Sequence, residues 1–259
     1  MLSGSGARAS AAETPLPRVE DILKRAMERG EAEPVNDARF KEQYFFVRSK
    51  TTEIRNSEGE LKQRQSKVST NAPIAPALIA APAPEAVGAT KAGSSKQAAG
   101  ASGGAYQAAA RKFDKNQFQF NDDLVSRYDF KLIGREITNG CSALVLDFAP
   151  KKKKLPENGI RDRLINRVAG RVWVDEREFA VQKCALHLIE SVNIVGGIVG
   201  EAQKFEYRFD RERTSEGLWY VRDSEWHLEG REVLVHRKAD YHETRTGVHK
   251  QESAEHPQH

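Results

Sequence analysis

The stretch Gly200–Gly230, GEAQKFEYRFDRERTSEGLWYVRDSEWHLEG, decides how the rest of the chain is read. Phe205, Tyr207 and Phe209 alternate with Glu206, Arg208 and Asp210. A period of two puts the aromatic side chains on one face of a strand and the charged ones on the other. Thr214-Ser215-Glu216-Gly217 reads as a tight turn in which Gly217 is free to take positive φ. The return strand carries Tyr220, Trp226 and Leu228 in one parity, with Trp219 and Val221 in the other. By parity, Phe205, Tyr207 and Phe209 face Tyr220 and Trp226. A one-residue slip would bury Glu206, Arg208 and Asp210 instead. A hairpin with one apolar face must cover it with a sheet, a helix or a ligand.

Similar patterns surround it. Tyr44–Ile54 and Leu61–Val68 form a hairpin about Asn56–Gly59, the second strand polar enough for a sheet edge. Tyr128, Phe130 and Leu132 alternate with Asp129 and Lys131, Thr138-Asn139-Gly140 turns the chain, and Leu144, Leu146 and Phe148 return. Gly170–Asp175 and Phe179–Ile189 make a further hairpin, and Leu234–Thr246 supplies a last strand. Helices are expected at Val19–Met27, opened by Thr14-Pro15 and closed at Gly30, at Asp37–Glu42, at 105–113, and at 157–169. The Val19–Met27 helix is expected to lie on the aromatic face, as fixed core or as a movable lid. Val192–Gly200, VNIVGGIVG, is an apolar loop at the rim, either packed on the sheet mouth or exposed as a flap. The fold class is mainly β (α+β): a half-open, curved antiparallel barrel of about nine or more strands wrapped over amphipathic helices.

The expected organisation is a disordered N-terminus over 1–13, the first helices and hairpin over 14–68, a flexible Ala/Pro/Gly/Ser insertion over 69–104, the main barrel over 105–247, and a disordered tail over 248–259. The 41 basic and 37 acidic residues give a net charge of +4, a solvated mixed surface that does not call for nucleic acid. Lys151–Lys154 reads as a solvated run at a strand end. No segment has the length and apolarity of a transmembrane helix. Cys141 and Cys184 lack metal-ligand spacing, and whether they pair stays open. His236, Asp240 and His242 share a strand face and could in principle meet a metal, but polar residues on a wet face are the ordinary outcome. Asp175 and Glu178 are turn formers, and neither Ser191 nor Ser224 sits in a nucleophile elbow. No metal, cofactor or catalytic set is assigned, and the chain is not read as an enzyme.

The hairpin YDFKLIGREITNG–CSALVLDF (Tyr128–Phe148), the segment RDRLINRVAG (Arg161–Gly170), GRVWVDEREFAV (Gly170–Val181) and FEYRFDRERTSEGLWYVRDSEWHLEGRE (Phe205–Glu232) resemble bacterial outer-membrane lipoprotein-sorting proteins of the LolA-like and LolB-like superfamily, in an uncharacterised periplasmic branch. The group's "WVD" strand and its return are matched by Trp173-Val174-Asp175 and by Val181 with Lys183. The likeness is firmer over Tyr128–Thr246 than over Val19–Val68. It implies a half-open barrel around helices, with an apolar cavity that holds the acyl chains of a lipid or acylated lipoprotein. Its lining would be Phe130, Leu132, Leu144, Leu146, Phe205, Tyr207, Phe209, Tyr220 and Trp226. Its lid and rim would be Ile22, Leu23, Met27, Ile194, Val195, Ile198 and Val199. The carrier's lid-locking arginine has no position here, so acyl binding carries over more directly than lipoprotein shuttling. The resemblance, with the leader-like end Ala9-Ser10-Ala11-Ala12, implies a periplasmic or envelope location, the front of the leader lying upstream of Met1. A second reading is a protein-interaction or sensor domain, with its cavity filled by its own side chains and an envelope protein as partner.

Overall fold

Val19, Ile22, Leu23, Ala26 and Met27 recur at helical spacing, and the first helix, α1 (Val19–Glu31), follows them. It begins after Pro15 and Pro17 rather than at Thr14, and Glu20 and Asp21 in its first turn suit the positive end of the helix dipole. The computed structural model describes residues 15–71, 120–195, 200–232 and 235–251. Helix α2 (Glu33–Gln43), with a proline in its first turn, leads straight into strand β1 (Tyr44–Asn56) and its hairpin partner β2 (Leu61–Thr70). A short helix α3 (Asp122–Arg127), capped by the Asn121 side chain on the Leu124 amide, precedes β3 (Tyr128–Thr138) and β4 (Cys141–Pro150). Helix α4 (Ile160–Ile165) is followed by β5 (Val168–Asp175), β6 (Val181–Leu188), β7 (Val192–Val195), β8 (Gly200–Arg213), β9 (Trp219–Glu232) and β10 (Val235–Lys250).

The ten strands form one antiparallel sheet in the order β2-β1-β10-β9-β8-β6-β5-β4-β3, with β7 paired to β8. The ends of that order, β2 and β3, are not joined, so the sheet is an open, half-closed barrel. β2 is exposed over Leu61–Val68 and carries Lys62, Arg64 and Lys67, the chemistry of a protected edge. Asn139 and Gly140, both at positive φ, close the β3–β4 hairpin, and Gly217 at φ 85° closes β8–β9. Gly170 sits where β5 passes β6 so closely that a Cβ would lie 2.3 Å from the Ala185 carbonyl oxygen.

Four expectations need correction. The helix over 157–169 shrinks to Ile160–Ile165, because Val168 and Ala169 already pair with Leu188 and His187. Val192–Val195 is a strand rather than loop, held by Glu201 and Ala202 of β8. The last strand runs through Lys250, since β1 extends opposite it to Tyr44. Between Asp210/Asp223 and Arg211/Val221 the β8–β9 register slips by one residue. Beyond that bulge the parity of β9 reverses, so Val221 joins the Phe209 cluster and Tyr220 leaves it. The expected disordered segments and the 105–113 helix lie outside the described residues, except 69–71, of which Ser69 and Thr70 end β2 and Asn71 accepts from the Phe46 amide at 3.0 Å, and 248–251.

Candidate functional site

Two buried clusters meet on the sheet face that carries α1, α3 and α4. In the first, Ile22, Leu23 and Ala26 of α1 lie with Leu144, Leu146, Val172, Val174, Phe179 and Phe120. In the second, Leu124, Tyr128, Leu164 and Ile165 cover Cys184, Leu186, Phe205, Tyr207, Phe209, Trp226 and Leu228. At the seam is an apolar cavity of about 20 Å³ lined by Phe120, Leu124, Tyr128, Phe130, Phe148, Val172, Val181, Cys184 and Phe209. That is space for about one water molecule, and the lining offers water no set of polar partners. Phe130, Phe148 and Val181 are only partly buried and touch both clusters. The rings meet at open angles: Tyr128 and Phe148 stand edge to face at 5.2 Å, and Phe130 and Phe148 are tilted at 6.1 Å. Burial pushes the Cys184 thiol up to about 12 and raises the Tyr128 phenol, whose hydroxyl donates to the Ile165 carbonyl. Neither group ionises near neutral pH, so neither supplies a nucleophile or base there.

Of the residues expected to line the cavity, Phe130 and Phe209 do so. Leu144 and Leu146 are fully buried beneath α1, and Leu132 packs at the edge of the same cluster. Phe205, Tyr207 and Trp226 are core, set behind the lining. Tyr220 is elsewhere: past the bulge it stacks on Phe40 of α2 at 4.8 Å, in a cluster with Tyr44, Phe46 and Leu218. Ile22, Leu23 and Met27 lie over β4 and β5 and not over Phe205–Phe209, which α3 and α4 cover. The Ile194 and Val195 side chains, and Ile198 and Val199 entirely, lie outside the described residues. Tyr128 and Phe148 share the parity of Phe130 and Leu146, so alternation could have added them to the lining. Phe120 and Leu124 have no such signal beyond Asn121 followed by two acids, the mark of a helix start.

The second cluster's roof hangs on one buried arginine. Arg127 donates to Asp123 at 2.9 Å, to Asn166 at 2.9 Å and to the Pro156 carbonyl at 3.2 Å, and faces Asp162 at 3.4 Å. Burial opposes its charge, but Asp123 and Asp162 outweigh it and raise its pKa, while Asp123 is lowered chiefly by Arg127. At the far end of the sheet α2 is fixed in a similar way. Asn36 donates to the Trp219 carbonyl at 2.7 Å and accepts from its amide at 2.9 Å, and Glu33 pairs with buried Arg211 at 2.5 Å.

The opposite face is charged. His236, Asp240 and His242 do not converge on a common point and are polar residues of the wet face: Asp240 pairs with His227 at 2.6 Å and His242 with Asp223 at 2.7 Å, while His236 is exposed. Asp223, Glu225 and His242 bring ligand atoms within 4.8 Å of one another. Arg208 holds Glu225 at 2.6 Å and His242 sits 2.7 Å from Asp223, so each carboxylate already has a partner. His227 donates or accepts at both ring nitrogens, to Asp240 at 2.6 Å and Glu229 at 2.8 Å. Burial works against its protonation, but the two carboxylates prevail and raise its pKa. Cys141 and Cys184 are free thiols. No helix among the described residues is long and apolar enough to cross a membrane.

No family model and no curated protein matches the sequence. Solved structures do. One is a DUF1329 family protein from Desulfovibrio piger, 15% identical, TM-score 0.30, over 88% of this chain and 93% of that one. A second is a domain assigned to the outer membrane lipoprotein-sorting proteins, from Vibrio parahaemolyticus, 11% identical, TM-score 0.32, over 90% and 95%. A third is a LolA superfamily protein from Nitrosomonas europaea, 10% identical, TM-score 0.29, over 92% and 96%. The superpositions are loose, and they carry no argument about ligand.

Proposed function

We propose that the protein is a non-enzymatic envelope protein that binds the acyl chain of a lipid or acylated lipoprotein at the seam between its two apolar clusters. The observation that supports this is the cavity: nine apolar or aromatic residues converge on it, and half-buried Phe130 and Phe148 bridge the clusters around it. As it stands the space admits no chain. Binding therefore requires these rings to rotate and the α3–α4 roof to part from α1, with apolar surface exchanged for apolar ligand. The test is organic extraction of the purified protein followed by mass spectrometry, together with titration of a fluorescent fatty acid. Lipid in the extract and saturable uptake are expected, with Phe148→Arg losing uptake while circular dichroism stays native. An empty extract with no uptake would refute the proposal.

A protein-interaction role is favoured by one feature. Among the described residues β3 has no strand on its outer side, and it carries the exposed residues Ile133 and Ile137, a template for strand addition by a partner. Ile137→Lys should abolish such pairing and leave fatty-acid uptake untouched.

A further inference from the structure

The run Lys151–Lys154 has a setting its sequence does not reveal. Residues 151–167 hold seven basic side chains against two acidic ones, a surplus of +5 where the whole chain carries +4. One of the two acids, Asp162, is buried against Arg127. Lys152, Lys153 and Lys154 are exposed and make no ion pair or hydrogen bond among the described residues. Their loop is held firmly nonetheless. At one end the Lys151 amide donates to the Arg127 carbonyl at 2.9 Å and its ammonium to the Ser126 carbonyl at 2.9 Å. At the other, the Pro156 carbonyl accepts from Arg127 and from Asn166 at 2.9 Å. Three free cations are thus displayed on a loop pinned at both ends by the arginine that roofs the second cluster.

Register places aliphatic groups at the same end of the sheet. Ile189, 47% exposed, follows β6, and its amide donates to the Arg167 carbonyl at 2.8 Å. Val235, 49% exposed, opens β10 opposite Glu232. The cavity lies at this end too: Tyr128, which lines it, pairs with Pro150, the residue before the lysines.

We infer that this end of the barrel docks on a bilayer rich in anionic phospholipid, the lysines meeting headgroup phosphates and Ile189 and Val235 entering the interface. Exposed cations at the same end of a sheet as exposed aliphatics are the composition of an interfacial contact. Single-stranded nucleic acid is disfavoured, since among the described residues none of the exposed large apolar side chains is aromatic, so they offer no platform for bases. The inference rests on the acyl-binding reading for its purpose: docking would bring the seam to the pool of lipid.

The test is sedimentation of the full chain with vesicles of phosphatidylglycerol and phosphatidylethanolamine, against phosphatidylcholine alone. Binding to the anionic vesicles only is expected, weakening as salt shortens the Debye length from about 30 Å to about 8 Å. At roughly fivefold per lysine, the K152Q/K153Q/K154Q variant should bind about a hundredfold more weakly, with unchanged circular dichroism and Tm. Equal binding to both vesicles, or a triple variant as tight as the parent, overturns the inference. So does an oligonucleotide that displaces the vesicles through the same lysines. Fatty-acid uptake measured without vesicles separates the two claims. Uptake without vesicle binding removes docking alone; vesicle binding without uptake sustains docking and removes the acyl reading.

Discussion

Replacing Phe209 by alanine would join the space of its ring to the existing cavity. Phe209 is 7% exposed, lies opposite Cys184 across β6–β8, and packs 5.9 Å from Tyr207. Truncating a buried phenylalanine costs about 3–5 kcal/mol, part lost transfer energy and part unfilled cavity. For a domain of roughly 150–250 residues each kcal/mol moves Tm by about 2–4 °C, so a fall of about 6–20 °C is expected. If the seam accepts acyl chains, a medium-chain fatty acid should fill the new space. At a hundred times its Kd such a ligand returns about 2.7 kcal/mol, more than half of the loss. Calorimetry of parent and variant, with and without decanoate below its micellar concentration, reads both effects. Val145→Ala is the matched control, because Val145 is 1% exposed but sits with Trp173 in a cluster apart from the cavity. Rescue of Phe209→Ala but not of Val145→Ala is the expected pattern. A variant that loses stability and is not rescued, and whose fatty-acid affinity is no better than the parent's, would refute the argument that the seam is a site.

Three further outcomes are expected. His227 has its pKa raised in the folded state, so its contribution is complete below an unfolded value of about 6.5 and is lost as pH rises through the higher folded value. Calorimetry should therefore show His227→Gln lowering Tm more at about pH 6 than at about pH 8.5, and an equal effect at both would contradict the double carboxylate clamp. Gly170→Ala forces its Cβ to within 2.3 Å of the Ala185 carbonyl oxygen and 2.7 Å of the Leu186 Cα. A loss of about 1–3 kcal/mol in urea unfolding is expected, and a neutral result would mean the two strands can separate freely. Arg127→Leu removes the cation 3.4 Å from buried Asp162, leaving it Arg161 at 3.6 Å and the Asn158 amide, and takes one of two donors from the Pro156 carbonyl. About 3–5 kcal/mol should be lost, and the urea midpoint measures it.

Much of the sheet was legible because alternation is a local property. The pairs at Phe205–Phe209, Tyr128–Leu132 and Leu144–Phe148 each show one apolar face within a few residues. The bulge in β9 was not legible: an extra residue between Val221 and Asp223 leaves the alternation itself unchanged, and only the partner strand reveals the slip. The same limit misplaced α1. Its apolar stripe shows that it packs on something, but the choice between the β4–β5 face and the β8–β9 aromatics depends on contacts far apart in the chain. The short α4 shows local propensity overridden, as Val168 and Ala169 continue a helical pattern yet complete the ladder with β6. The lining of the seam was half legible, since Tyr128 and Phe148 follow from parity while Phe120 and Leu124 enter through a two-turn helix with no strong period.

The pairing of β1 with β10 governs when this sheet can be completed. Tyr44 lies against Lys250 and Asn56 against Arg237, so the first strand finds its inner neighbour only in the last 16-residue strand. While the chain is being made, β1 has only β2, and a lone two-stranded ribbon is marginal in water. Contacts of such sequence separation form late and slowly, leaving strand edges open in the meantime. A chain that stopped before β10 would therefore not be a slightly smaller barrel. It would be a β3–β9 sheet with an open edge at Trp226 and Leu228, and a β1–β2 hairpin tied to it only through α2 and the cluster of Phe40, Tyr44 and Phe46 with Tyr220.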